Sequence, residues 1–186
     1  MNFAPAATTQ TEQDLVRLSQ QGDRAAFGEL VQLHQRGVVN LVYRLCGNPT
    51  FAEDIAQDAF IRAWQKLDSY RPVAPFRNWV YRIAANTAID ILRRDKDQVD
   101  IDTVVISAPG SNLEQDLVHR QRDETIRQAV LSLPLASRSV LILREFEDLS
   151  YQEISEALEI PIGTVMSRLN YARTALRTIL ADLLEA

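Results

Sequence analysis

Residues 149–176 read LSYQEISEALEIPIGTVMSRLNYARTAL. Ser150 followed three residues later by Glu153 is a capping box, which opens a short helix through Leu158 with Ile154 and Leu158 facing inward. Glu159-Ile160-Pro161 ends that helix, and Ile162-Gly163 is expected in a tight turn. A second helix begins near Thr164, with Val165, Leu169, Ala172 and Leu176 as its packed stripe. Short helix, tight turn, longer helix is the helix-turn-helix pattern. The other faces of the second helix carry Thr164, Ser167, Arg168, Asn170, Tyr171 and Arg173. Residues 160–178 hold three arginines and no acid, as contact with phosphates requires. The plainer alternative is an αα-hairpin with a solvated polar face. An acid-free window in an otherwise acidic chain favours a reader of the DNA major groove.

Working outward, apolar spacing reads as helix nearly everywhere. Residues 1–10 look like a disordered lead. Thr11 is a candidate N-cap with Asp14 three residues on, Gly22 a candidate stop, and Asp23 a cap for the next helix. In that helix Phe27, Leu30, Val31, Val38, Leu41, Val42 and Leu45 recur at threes and fours, and Gly47-Asn48-Pro49 breaks it. A third helix is expected over about 52–67 and a fourth over about 76–94. Residues 95–112 (DKDQVDIDTVVISAPGSN) alternate acids with β-branched residues and read as a flexible acidic tether; a short strand at 103–106 would have no obvious partner. Helical spacing resumes near Leu113 and runs to Pro134, and Val140, Leu141, Leu143 and Phe146 mark one more helix. The fold class is therefore all-α: a lead (1–10), a four-helix domain (11–94), an acidic linker (95–123) and a helix-turn-helix domain (124–186).

Composition agrees. Of 186 residues 46% are hydrophobic and 24% charged, which excludes wholesale disorder, and 6 Gly with 7 Pro argue against a turn-rich β fold. Cys46 is the one cysteine, so no internal disulfide forms, and a lone thiol suits a reducing compartment. No apolar run approaches the ~20 residues of a membrane span, and the N-terminus shows no signal peptide. The expectation is a soluble cytoplasmic protein without membrane insertion. The net charge of −5 is unevenly spread: residues 1–94 carry 11 basic and 9 acidic groups, 95–123 carry 3 and 7, and 124–186 carry 6 and 9.

Two further stretches bear on function. In residues 68–94, Tyr70, Phe76, Trp79 and Tyr81 interleave with Arg71, Arg77, Arg82, Arg93 and Arg94. Rings stack on unpaired bases while guanidinium groups hold a backbone. Taken alone, the pattern equally describes core aromatics beside a solvated arginine face. In residues 52–66, Asp54, Gln57, Asp58 and Arg62 fall about one turn apart on one face. That face is either a solvated surface with an Asp58–Arg62 pair or a protein-docking surface.

Together these stretches resemble the extracytoplasmic-function sigma factors of bacterial RNA polymerase over roughly residues 11–178. The matching segments are AEDIAQDAFIRAWQKLDSYR, FRNWVYRIAANTAIDILRR and LPLASRSVLILREFEDLSYQEISEALEIPIGTVMSRLNYAR. The resemblance implies sigma domain two at 11–94 and sigma domain four at 124–186. It implies core RNA polymerase and promoter DNA as partners, a separate anti-sigma factor, no cofactor and no enzymatic activity. On the family's pattern Asp54, Gln57, Asp58, Phe60 and Arg62 lie on the polymerase-docking helix. Tyr70, Arg71, Phe76, Arg77, Trp79, Arg82, Asn86 and Arg93 lie at the minus-ten element, with the 69–76 loop holding a flipped base. Thr164, Ser167, Arg168, Asn170, Tyr171 and Arg173 lie at the minus-thirty-five element. The acidic tether is expected to thread the polymerase's RNA exit channel. Met166 departs from the family, which often has Arg or Lys there; a methionine exchanges a phosphate or base contact for one with a thymine methyl.

Competing chemistries find little support. His34 and His119 are the only histidines, neither in metal spacing with Cys46, so no metal site is expected. No glycine-rich phosphate loop occurs, and no nucleophile has a base partner legible in the sequence. A helix-turn-helix regulator with a sensing or dimerising first domain accounts for 149–176 and leaves 68–94 unexplained.

Overall fold

The structure, a computed structural model, describes residues 11–98 and 114–185, with side chains for 11–94 and 122–181. The lead at 1–10, the centre of the tether and the candidate strand at 103–106 lie outside the described residues. The described residues form eight α-helices and one 3-10 turn, without a strand among them.

Local chemistry sets most of the boundaries. Helix α1 (Glu12–Gln20) opens on the expected reciprocal box between Thr11 and Asp14. Asp23 caps α2 (Arg24–Cys46), its carboxylate accepting from the Ala25 and Ala26 amides at 2.9 and 3.1 Å. Gly47, at φ 75°, closes α2 in the left-handed conformation. Asn48 then caps α3 (Pro49–Lys66), whose start precedes the apolar spacing because Pro49 fills the first helical position, where no amide is needed. A 3-10 turn (Leu67–Ser69) and a loop lead to α4 (Phe76–Gln98), which extends four residues past Arg94. Helix α5 (Glu114–Ser132) stops before Pro134, which launches α6 (Leu135–Glu145). Ser150 and Glu153 form the expected box on α7 (Tyr151–Leu158), and α8 (Ile162–Glu185) closes the chain.

The turn between α7 and α8 differs from the expectation. Glu159, not Gly163, takes the left-handed conformation, at φ 54°. That placement of a side-chain-bearing residue costs about 1 kcal/mol. It is offset by a tight closure in which the Ile160 amide donates to the Ser155 carbonyl at 3.1 Å and the Ser155 hydroxyl to the Ile160 carbonyl at 2.6 Å. Pro161 has φ suited to starting a helix, so Ile162 and Gly163 already belong to α8.

Helices α1–α4 pack around Leu30, Leu41, Leu45, Ile55 and Leu67, and α6–α8 around Ile142, Leu143, Ile154 and Leu169. Small residues on α3 (Ala52, Ala56, Ala59, Ala63) and α4 (Ala84, Ala85, Ala88) are all buried, letting these helices approach closely. Helices α2 and α4 meet at Gly37, where a Cβ would fall 1.9 Å from the Tyr81 hydroxyl. The two halves also pack together, α2 against α5 and α6, and α4 against α7. At one end of this contact Leu131 covers Gly47, and Arg127 donates to the Gly47 carbonyl at 3.2 Å.

Gly37→Ala tests the α2–α4 spacing. Alanine is the better helix former by about 1 kcal/mol, yet the overlap with Tyr81 is expected to produce a net loss of about 1–3 kcal/mol in denaturant unfolding. Tyr81→Phe in the same chain removes the clashing hydroxyl and should recover most of that loss.

Candidate nucleic-acid interface

Helix α4 is two-sided. Phe76, Val80, Tyr81, Ala84, Ala85 and Ala88 are buried among α2 and α3. The opposite side presents Asn78, Arg82 and Asn86 at four-residue spacing, and further along Arg93. Together with α3 and the helix-turn-helix half, this side encloses a cleft of about 690 Å³. Five cations, Arg62, Lys66, Arg82, Arg93 and Arg168, line it against two acids, Asp90 and Glu159, with Trp79 in its wall. Such an excess of guanidinium groups beside an indole suits a nucleic-acid backbone and an unstacked base.

The aromatic residues divide. Tyr70 and Phe76 are buried at 5% and 3% exposure, packed edge to face with centroids 5.5 Å apart. Both were expected at the DNA; in this arrangement they are core residues, and their role is to shape the loop. The Tyr70 hydroxyl donates to the Ala74 carbonyl at 2.7 Å. Arg71 is similarly occupied, donating to the Asp68 carbonyl at 2.7 Å and to the Tyr70 carbonyl at 3.1 Å. Trp79 leans on both rings, 5.3 Å from Tyr70 and 5.5 Å from Phe76, while its remaining surface faces the cleft.

On α3, Asp54, Gln57 and Asp58 are exposed as expected of a docking face. Phe60 is buried beneath them, lining a hollow with Val31, Val39, Gln57 and Ile61, and Ile61 is itself 56% exposed. The anticipated Asp58–Arg62 pair does not form: Arg62 reaches across to Asp90 on α4 at 3.9 Å, because it points into the cleft rather than along α3.

On α8, Val165, Leu169 and Ala172 are buried, leaving Met166, Ser167, Asn170 and Tyr171 exposed to one side. Thr164 is half-buried and its carbonyl accepts from the Ser167 hydroxyl at 3.1 Å. Arg168 turns into the cleft, and Arg173 is paired with Glu145 at 2.6 Å.

The polar side of α4 is covered by the other half of the chain. Asn86 donates to the Ala157 carbonyl at 2.8 Å, Asn78 to the Glu153 carboxylate, and Arg82 pairs with Glu159 at 3.4 Å. Glu147, its side chain only 5% exposed, accepts from Arg77 at 2.8 Å and from Arg44 at 3.4 Å. Arg77 also donates to the Glu147 backbone carbonyl at 3.1 Å and lies 4.5 Å above the Tyr81 ring. Burial pushes the Glu147 carboxyl up, against the pull of Arg77 and then Arg44. Sequence reasoning missed Glu147, Arg44 and Asn78. No local signal marks them, since an acid in a short loop is ordinarily solvated and only the packing of one half on the other buries this one.

The Cys46 thiol, raised by burial and donating to the Asn48 carbonyl at 3.3 Å, is structural. Among the described residues no cluster of His, Cys, Asp or Glu could hold a metal ion, and no helix is long and apolar enough to cross a membrane.

Comparison with known proteins agrees with this geometry. Residues 30–98 match the model of Sigma-70 region 2 and residues 123–176 that of Sigma-70 region 4. The ECF RNA polymerase sigma factor SigW of Bacillus subtilis is 37% identical over 179 residues, 90% of this chain and 96% of that protein. The chain belongs to the extracytoplasmic-function sigma factors. The sigma-E factor of Escherichia coli K12 is 36% identical over 89% of this chain and 92% of its own length. Among solved structures, the sigma factor RpoE of Bartonella quintana, in complex with the anti-sigma factor NepR, superposes with TM-score 0.66. It is 26% identical and covers 83% of this chain and 96% of its own. CnrH, solved with the cytosolic domain of CnrY, shares the fold at TM-score 0.67 and 24% identity, over 92% of this chain and 97% of its own. As a sigma factor the chain carries out no catalysis of its own; it directs RNA polymerase to particular promoters and supports initiation there.

His34 makes the base of the aromatic cluster sensitive to pH. It stacks on Phe76 at 5.5 Å, and burial holds it below its usual 6.5, with Arg77 acting the same way and Glu12, 3.6 Å away, opposing. A depressed histidine contributes stability that is present above the unfolded value and lost as pH falls below about 6.5. Unfolding midpoints of wild type and His34→Gln, compared at pH 7.5 and 5.5, should show the larger acid loss in wild type.

Proposed function

We propose that the two halves, residues 11–94 and 124–186 joined by 95–123, divide promoter recognition between a strand-capturing face and a duplex-reading helix. The observation that carries this is the cleft itself, where Trp79, Arg82, Asn86 and Arg93 of α4 share one surface with Arg62 and Lys66 of α3. A ring for a flipped base, an amide for its edge and cations for the backbone are what a melted minus-ten strand requires. Arg71 and Arg77 extend the basic surface. Tyr70 and Phe76 act from beneath, setting the 71–75 loop. Asp54, Gln57, Asp58 and exposed Ile61, with Phe60 supporting them from below, form the polymerase-docking face, and Arg62 joins it to the cleft. On α8, Ser167, Asn170 and Tyr171 read minus-thirty-five base edges, Met166 meets a thymine methyl, and Thr164, Arg168 and Arg173 hold phosphates.

The likeness to RpoE, which was solved with an anti-sigma factor, supports a separate anti-sigma protein as a third partner. A cytoplasmic location follows from a role on the polymerase.

Run-off transcription with core polymerase on genomic fragments tests the function: transcripts should require both components. Asn86→Ala should slow open-complex formation about tenfold, the weight of one lost hydrogen bond to a captured base, while polymerase affinity stays near wild type. Trp79→Phe is the cleaner aromatic test than alanine, since the indole also supports Tyr70 and Phe76. Equal loss of polymerase binding and strand opening would overturn the assignment of α4. Arg168→Ala should weaken upstream occupancy and flatten its salt dependence by about one phosphate's worth; unchanged occupancy across salt would remove Arg168 from the duplex contact.

A further inference from the structure

We propose that the cleft beside α4 binds a small molecule carrying a diphosphate group, of the nucleoside diphosphate class, with its phosphates on Lys66, Arg93 and Arg168 and its base against Trp79. The site goes beyond the promoter reading and does not depend on it.

Charge is the first observation. Two of the five lining cations are matched by the two lining acids: Arg62 meets Asp90 at 3.9 Å, and Arg82 meets Glu159 at 3.4 Å. Lys66, Arg93 and Arg168 make no ion pair among the described residues. They come from three different helices, α3, α4 and α8, and line one hollow. Like charges gathered around a hollow repel one another, and an anion between them turns that repulsion into attraction. A single phosphate brings a charge of about −2 at pH 7, so three cations ask for two phosphates.

The second observation is Thr87. It lies in the same lining, is 1% exposed, and its hydroxyl has no hydrogen-bond partner. The other small polar groups of the lining are engaged. The Ser69 hydroxyl donates to the Lys66 carbonyl at 2.6 Å, Asn86 to the Ala157 carbonyl at 2.8 Å, and the Ser139 hydroxyl to the Leu135 carbonyl at 2.7 Å. A buried hydroxyl left unpaired is costly. Threonine in a helix has two accessible rotamers, so this hydroxyl can turn to an oxygen lodged in the cleft.

Size and lining set the ligand class. The volume of about 690 Å³ falls within the roughly 300–1,000 Å³ of small-molecule sites. From Trp79 to Arg93 the cleft follows α4 for about 21 Å, enough for a nucleotide laid along it. Ile83, Leu158 and Ile160 add apolar wall. An indole stacks on any base, so Trp79 selects for a nucleoside without choosing among them. Trp79, Lys66 and Arg93 are also assigned to the melted strand, so ligand and strand exclude each other. That consequence, unlike the site, rests on the reading of α4.

The test is calorimetric titration of the full chain, without polymerase and with EDTA present, using ADP, inorganic pyrophosphate and adenosine as probes. ADP should bind one to one, pyrophosphate about tenfold more weakly for want of a stacked base, and adenosine without measurable heat. Arg168→Gln and Thr87→Val should each weaken ADP binding about tenfold. Arg36→Gln, an equal charge loss at an exposed α2 position outside the cleft, should bind ADP as wild type does. Thr87→Val keeps the side-chain shape and removes an unpaired hydroxyl, so its unfolding midpoint without ligand should be no lower than that of wild type. Its loss of affinity then reports the site and not the fold. Absence of ADP binding, or equal weakening by Arg36→Gln, overturns the site. Adenosine binding as tightly as ADP overturns the diphosphate, and pyrophosphate binding as tightly as ADP overturns the nucleoside. In competition, ADP should displace a single-stranded minus-ten oligonucleotide from the wild-type chain. ADP binding that needs Arg168 and Thr87 yet leaves the oligonucleotide in place upholds the site and overturns the assignment of α4 to the strand. A failed site leaves that assignment to the Asn86→Ala transcription test.

Discussion

Helix α4 has to satisfy two environments at once, and the rest of the molecule is arranged around that constraint. Its inner side is built from small and aromatic residues that let α2 and α3 come close, to the point where Gly37 leaves room for the Tyr81 hydroxyl. Its outer side carries groups that need an anionic or polar partner. Apolar packing on one side fixes the helix, and a rigid helix holds Trp79, Arg82, Asn86 and Arg93 in register. The aromatic cluster under the 71–75 loop extends the same logic, since Tyr70 and Phe76 contribute by fixing a surface they do not themselves present.

The contact between the halves joins their two cores into one buried apolar cluster and adds ion pairs and amide hydrogen bonds beside it. Burying a carboxylate costs several kcal/mol, and two arginines return a similar amount, so the net contribution of Glu147 is small. The upward push on its carboxyl shows burial outweighing the two arginines. The ion pairs of this contact specify one arrangement while adding little to its stability.

Much of this was legible beforehand because it is written in local chemistry. Capping pairs at Thr11 and Asp14, at Asp23 and at Ser150 and Glu153 determine helix starts through bonds spanning three residues, and they formed as expected. Gly163 misled because glycine ordinarily marks a turn, whereas the Pro161 start and the Ser155–Ile160 closure forced the left-handed position onto Glu159. The interleaved aromatics and arginines of 68–94 could be read as core or as DNA contact; Tyr70 and Phe76 lie inside, whereas Arg82 and Asn86 line the cleft. The Asp58–Arg62 pair, one of two readings of its face, does not form because Arg62 meets Asp90, a neighbour only in three dimensions. Glu147 was invisible for the same reason.

The overall charge of −5 looks ill suited to a protein that handles a polyanion, yet its placement resolves the conflict. The acids of the second half fall between residues 124 and 159 and at positions 182 and 185, and none lies between residues 160 and 181. Glu147 and Glu159 pair with Arg77 and Arg82 of α4, and Glu153 accepts from Asn78. Paired in this way, Arg77 and Arg82 attract nucleic acid less than free arginines would. The excess of negative charge is therefore kept off residues 160–181 and set beside the arginines of α4, so net charge alone does not argue against a DNA-binding chain.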